Sequence, residues 1–314
     1  PALPGCSSGL PSYEDAAAGL ARPLTVGEQR GAARLRDLVR QATLAASSHN
    51  TQPWKFAVEE QAITILPDFT RRCPVVDPDD HHLFVSLGCA AENLVHAALA
   101  SGLHADVDVQ PKHIRLAFDK TTAVGSPLSE AIPHRQCSRS VYDGRPLSSS
   151  DLAALQHAGR IGQVEVTILT DRPRIETVLE YVAAGNALQI GDPAFVRELT
   201  SWIRFSEAEA VRSGDGLFSR STGNPAVPRW LGKLFLAALL TPGSENGKCA
   251  AQLRSSAGVA VFTSRNGRGQ WIDAGRSYER FALQATALGI RTAFLNQPVE
   301  VGPLRSQLAS WLTL

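Results

Sequence analysis

Ala46-Ser47-Ser48-His49-Asn50-Thr51-Gln52-Pro53-Trp54 joins a helical run ending near Ala45 to a strand-like run beginning near Lys55. Its residues are small or polar: two hydroxyls, the amides of Asn50 and Gln52, and a proline that stops a helix from running on. They describe a backbone open to hydrogen-bonding a polar ligand. The same residue types also make an ordinary capped turn in any fold. Composition leaves both readings open, so the rest of the chain has to decide between them.

The 314 residues suffice for two units of roughly 100 to 150 residues each. A hydrophobic content of 44% and a charged content of 19% are those of a globular chain. The formal charge of +1 argues against a nucleic-acid partner, since a phosphate-binding surface carries a visible basic excess. No apolar run reaches the ~18 residues that span a bilayer. The best candidate, 231–240, is interrupted by Gly232 and Lys233, so no transmembrane segment is expected. Five cysteines, Cys6, Cys73, Cys89, Cys137 and Cys249, are odd in number, widely spaced and free of any CxxC pair, which suits buried thiols. A cytoplasmic protein acting on a small molecule is the expectation. The alternative is an exported or lipid-anchored one, because Leu3-Pro4-Gly5-Cys6 resembles a bacterial lipobox.

Along the chain, 1–24 reads as an extended N-terminal arm. Thr25, with Glu28 three residues on, is a capping candidate for a helix running through Leu35, Leu38 and Val39. Alternation at Phe56, Val58, Ile63 and Ile65 predicts a hairpin, 83–103 a largely apolar helix ended by Gly102, and 105–109 with 113–118 two more strands. These complete a first α+β unit over 25–120. A linker, 121–134, leads to a second unit over 135–314. It holds predicted helices at 151–158, 175–188, 193–212, 230–240 and 269–288, strands at 164–169 and 259–263, and a strand or extended loop at 290–295. The irregular stretch 213–228 is either a lid over a site or a surface loop. The helix and Gly102-Leu103 of the first unit are mirrored by the helix and Gly289-Ile290 of the second, as in two degenerate copies of one fold.

Three further stretches bear on chemistry. In Arg135-x-Cys137-x-Arg139, alternate residues of an extended segment point the same way, and two guanidiniums suit a phosphate monoester at about 1.5–3 kcal/mol per charge-assisted bond. Alone, such a pattern is more often a solvated basic segment. Gly289 to Asn296 alone reads as a helix end running into a core strand. Asp77-Pro78-Asp79-Asp80-His81-His82 could be a metal cluster. Adjacent helical residues do not face one another, however, and Asp-Pro-Asp is helix-entry chemistry, so a structural role is expected. No dinucleotide fingerprint or P-loop is present.

The run ASSHNTQPWKF resembles the "PSxxNxQPW" loop of the nitroreductase family of flavoproteins, and in particular its Acg-like branch. Arg135-x-Cys137-x-Arg139, followed by Tyr142-Asp143 and Pro146-Leu147, is similar to that family's "R-x-[S/T]-x-R" clamp. It departs from it in Cys137, a poorer donor than Ser or Thr. Gly289-Ile290-Arg291-Thr292-Ala293-Phe294 resembles its "GLG" segment. The resemblance implies an α+β nitroreductase-like fold of two fused pseudo-symmetric half-domains with FMN between them. Arg135, Cys137 and Arg139 would then hold the phosphate, and Ser47, Ser48, His49, Asn50 and Gln52 the ribityl chain and ring. Backbone of Arg291, Thr292, Ala293 and Phe294 would face the flavin edge. It further implies NAD(P)H as a transient co-substrate, a nitroaromatic or quinone-like acceptor, and no protein acid or nucleophile. Only one of the two equivalent interface positions has both loop and clamp, so one FMN per chain is expected, with the mirror position empty or filled by side chains. The competing expectations are an FMN-sequestering protein without turnover and a scaffold without flavin. A further homodimer is left open.

Overall fold

The computed structural model describes residues 10–25 and 31–313. Cys6 and Glu28, and with them the lipobox and the expected capping pair, lie outside the described residues. In order, the first half contains α1 (Tyr13–Leu20), α2 (Ala32–Thr43), β1 (Trp54–Val58), β2 (Ala62–Pro67), α3 (His81–Ala100), β3 (Leu103–Gln110) and β4 (His113–Lys120). The strands form one antiparallel sheet ordered β1-β2-β4-β3. α4 (Pro127–Ala131) bridges to the second half. There follow α5 (Ser149–Ala158), β5 (Glu165–Leu169), α6 (Arg172–Gly191), α7 (Pro193–Trp202), β6 (Ile203–Arg204), α8 (Glu207–Ser213), β7 (Leu217–Phe218), α9 (Arg229–Leu239), α10 (Pro242–Ser255), β8 (Val259–Thr263), α11 (Arg268–Ala287), α12 (Gln297–Glu300) and α13 (Gly302–Trp311). The fold is α+β: the principal sheet is antiparallel, and the helices are not interleaved with parallel strands.

α3 and α11 cross at the centre of the molecule. α3 is long and apolar enough to cross a bilayer, but it is a core helix, its side chains buried against α2, α11 and the sheet. The crossing is close because each helix presents a glycine. A β-carbon on Gly88 would overlap the Ile272 carbonyl oxygen, and one on Gly275 would overlap that of Val85. The contact is reciprocal, since each glycine meets the residue three positions before the other. Both helices have 20 residues, carry a buried glutamate four residues after that glycine (Glu92 and Glu279), and end at a glycine of positive φ (Gly102, 76°; Gly289, 73°). Each also follows an antiparallel strand pair, β1/β2 before α3 and β5/β8 before α11. The first pair is joined by residues 59–61. The second is joined by 170–258, which carry α6 to α10.

The arm is not simply extended. Ser12 accepts from the Asp15 amide and starts α1, which packs on α8 and sets Tyr13 against Phe218 with ring centroids 4.5 Å apart. α2 is described from Ala32 with Gly31 at its N-cap, and the Thr25 amide donates to Asp37 instead of starting that helix. The single helix expected over 193–212 breaks after Trp202. Ile203 and Arg204 are extended and pair in parallel with Leu217 and Phe218, while Ser206 caps α8 through the Glu209 amide. α10 was not anticipated. Its sequence lacks a clear apolar stripe, but Thr241 caps it and Pro242 opens it. Residues 290–295 form no strand among the described residues, only a bridge between Thr292 and Cys137.

Candidate functional site

The loop after α2 is strained in a compact way. His49, Asn50 and Gln52 have φ of 47°, 52° and 52°, a left-handed run of non-glycine residues costing of order 1–3 kcal/mol each. Local bonds hold it: Asn50 and Thr51 donate their amides to the Ser47 and Ser48 carbonyls, and Ser47 Oγ accepts the Gln52 amide at 3.2 Å. The Ser48 amide reaches Ser86 Oγ on α3 at 3.4 Å. The two side-chain amides turn to residues 214–216. Asn50 Nδ2 donates to the Gly216 carbonyl and the Gly216 amide returns to the Asn50 carbonyl, both at 2.9 Å, while Gln52 Nε2 donates to the Gly214 carbonyl at 2.6 Å. Asp215 is held by Arg71 and, at 2.6 Å, by Arg204. The stretch 213–228 is thus fastened onto the loop.

The two arginines of the basic segment differ. Arg135 is buried, with Nε 3.0 Å from Glu279 Oε1 and Nη2 donating to the Leu44 carbonyl at 3.1 Å. Glu279 Oε2 also accepts the Ala46 amide at 3.3 Å, so one carboxylate of α11 ties the basic segment to the entrance of the loop. Burial pushes the Glu279 carboxyl up, even beside Arg135. Arg139 is exposed, and its guanidinium makes no ion pair or hydrogen bond among the described residues. Its backbone is fixed: the Arg139 carbonyl accepts Gln252 Nε2 at 2.7 Å, the Ser138 amide donates to the Thr292 carbonyl at 2.8 Å, and the Tyr142 hydroxyl donates to the Ser138 carbonyl at 2.9 Å. The third stretch therefore backs the second.

Ser47, Ser48, His49, Asn50, Gln52, Arg135, Cys137, Arg139 and Phe294 all line one cavity of about 1330 Å³, whereas Arg291, Thr292 and Ala293 do not line it. Its remaining wall comes from both halves. α1 gives Tyr13 and Leu20, the stretch 213–228 gives Phe218 and Asn224, α9 gives Phe235 and Leu236, α6 gives Asn186 and Gln189, and α10 gives Lys248. Gln297 Oε1, also on the wall, is buried without a hydrogen-bond partner. His49 keeps some surface open to the cavity but is enclosed by protein, and desolvation lowers its pKa. Its Nδ1 faces Cys73 Sγ at 3.5 Å, and burial raises that thiol's pKa. Burial of both groups disfavours an ionised thiolate–imidazolium pair.

Residues that the sequence reading passed over are Glu279, Asn186, Gln189, Lys248 and Gln297. For Glu279 a signal existed. Gly88-x3-Glu92-x9-Gly102 repeats as Gly275-x3-Glu279-x9-Gly289, which marks both glutamates as interior residues of matching helices. At the equivalent place in α3, Glu92 is closed off by Arg276 at 3.0 Å, Arg280 at 2.6 Å and His96 at 3.2 Å.

No protein-family model matches the chain. It is similar to two proteins of Mycobacterium tuberculosis strains named "Putative NAD(P)H nitroreductase", MT3217 and Rv3131. Each is 26% identical over 285 residues, covering 86% of this chain and 78% of the relative.

Proposed function

We propose that this chain is an FMN-dependent oxidoreductase of the nitroreductase type and of the Acg-like branch, with one FMN per chain between two duplicated half-domains. It takes hydride from NAD(P)H and reduces a nitroaromatic or quinone-like acceptor. The similarity to the two relatives, and their printed names, support a nitroreductase-type oxidoreductase. The observation that carries the finer reading is that the 47–52 loop of one half and Arg139 of the other line the same cavity. The reciprocal α3/α11 crossing supports duplication, because equivalent surfaces meeting each other is how two like units pack about a twofold. The pairing of Glu92 with Arg276 and Arg280 supports a single site, because the glutamate that would correspond to Glu279 is enclosed by guanidiniums.

The donor set fits the cofactor. Arg139 is a free guanidinium for the phosphate, with Lys248, itself bonded to Glu245 at 2.7 Å, on the same wall. The Ser47 and Ser48 hydroxyls supply neutral partners for a polyol chain, while the Asn186 and Gln189 amides on the same wall are already bonded to Asn246 and Glu300. Arg135 acts one step back, holding Glu279 and through it the loop entrance. When bound, FMN supplies the hydride chemistry, and the chain's residues grip, orient and cover it. His49 is a wall residue on this reading, and no catalytic role is assigned to it.

A second reading, sequestration of FMN without turnover, is favoured by one observation: the bonds from Asn50, Gln52 and Arg71 that clasp residues 214–216 over the loop. The visible spectrum of purified protein with added FMN, before and after anaerobic NAD(P)H, tests both. Flavin absorbance that bleaches supports the oxidoreductase, and bound flavin that stays oxidised supports sequestration. Protein that binds no flavin refutes both.

A further inference from the structure

A cluster next to this cavity, and unused by the reading above, is Asp77, His81 and His82 at the start of α3. Asp77 Oδ1 and Oδ2 accept the His82 and Leu83 amides at 3.0 and 2.9 Å, which fixes the carboxylate over the first turn. The two imidazoles converge on it, with ring centroids 4.0 Å apart. His81 Nδ1 lies 3.8 Å and His82 Nδ1 3.5 Å from Asp77 Oδ1. Both nitrogens are buried without a hydrogen-bond partner, and His82 is only 8% exposed.

Those separations are too long for hydrogen bonds. They are close to the ~3.3 Å edge between donors held about 2.0–2.1 Å from one tetrahedral ion. One donor atom from each residue lies within 4.8 Å of the others. The neighbouring acids do not compete, since Asp79 pairs with Arg305 at 3.4 Å and Asp80 with Arg72 at 2.9 Å. A helix amino terminus disfavours a cation, and here Asp77 supplies the opposing charge. Two imidazoles and one carboxylate suit zinc-class ions, whereas magnesium and calcium take oxygen shells.

We propose that Asp77, His81 and His82 bind a divalent transition-metal ion of the zinc class beside the cavity, of which His82 forms part of the wall. The ion pins the first turn of α3 to Asp77. The His82 carbonyl accepts Ser86 Oγ at 2.7 Å, and Ser86 Oγ takes the Ser48 amide, so the ion also stiffens the base of the 47–52 loop.

Full-length protein stripped with chelator, dialysed and titrated with Zn²⁺ by calorimetry tests this, with metal counted by mass spectrometry. Expected is one equivalent bound. His81→Ala and His82→Ala should each weaken it at least about tenfold, while His104→Ala, an exposed histidine, and Mg²⁺ serve as inert controls. Co²⁺ on the wild-type chain should give visible ligand-field bands that Zn²⁺ abolishes, a readout that needs no variant. The proposal is overturned if the wild-type chain takes up no Zn²⁺, or if a folded His81→Ala/His82→Ala chain binds it as tightly as wild type. Metal content is independent of flavin content, so this result stands or falls apart from the flavin reading.

Discussion

Arg135 and Arg139 stand two residues apart and do different work. Arg135 neutralises the buried Glu279, so Arg135→Ala strands a buried carboxylate and should cost about 3–5 kcal/mol in urea denaturation. Loss of flavin in that variant would not isolate a phosphate contact. Arg139 has no such partner, and Arg139→Ala should leave the denaturation midpoint unchanged while weakening FMN binding about 10- to 100-fold in a fluorescence titration. Glu92 makes a third prediction. Burial opposes its charge, but the His96 hydrogen bond and the Arg276 and Arg280 guanidiniums prevail and hold its carboxyl at about 2 against an ordinary 4.5. A lowered folded-state pKa contributes stability that is fully present above the ordinary value and is lost as pH falls toward the folded one. Wild type should therefore lose about 3 kcal/mol more than Glu92→Gln between pH 4.5 and 2, measured by denaturation across that window.

At the scale of elements, the α3/α11 crossing is set by two glycines facing backbone, which cannot yield as a side-chain end can. Gly88→Ala and Gly275→Ala should each destabilise by about 3 kcal/mol or more, or prevent folding. Gly269→Ala, in the same helix as Gly275 but with open space around it, should be neutral or stabilising by up to ~1 kcal/mol in thermal unfolding. Both helices were legible in the sequence, as were β1 to β4, because apolar periodicity and terminal glycines encode them locally. What was not legible depended on distant partners. Helix 193–212 reads as continuous until Leu217 and Phe218 pair with Ile203 and Arg204. The left-handed turn at His49, Asn50 and Gln52 is held by local bonds and also by bonds to Ser86 and to 214–216, more than thirty residues away at the nearest. The loop's residue types were visible, but its strain and its clasp were not. His81 and His82 likewise converge although ideal helix geometry separates neighbours.

For the whole molecule, the proposed pairing of two half-domains predicts one ligand site, because the strand pair before α3 is joined by 59–61 and the pair before α11 by the much longer 170–258. That longer connection supplies the cavity walls contributed by α6, α9, α10 and residues 213–228. Asp215 fastens residues 214–216, bonded to Arg71 and Arg204. Asp215→Ala should speed FMN release several-fold in stopped-flow dilution without altering thermal stability by more than a few degrees. The sequence motifs picked out nine residues that line the cavity. The repeated Gly-x3-Glu spacing marks Glu279 as interior, but does not disclose that it joins the two motifs, because that depends on Arg135 and Ala46 reaching it from distant parts of the chain. The most direct measurement of the central claim is the stoichiometry of FMN binding to the stripped chain, followed by quenching of flavin fluorescence. One equivalent per chain, weakened by Arg139→Ala, is the result predicted. Two equivalents, or none, would contradict it.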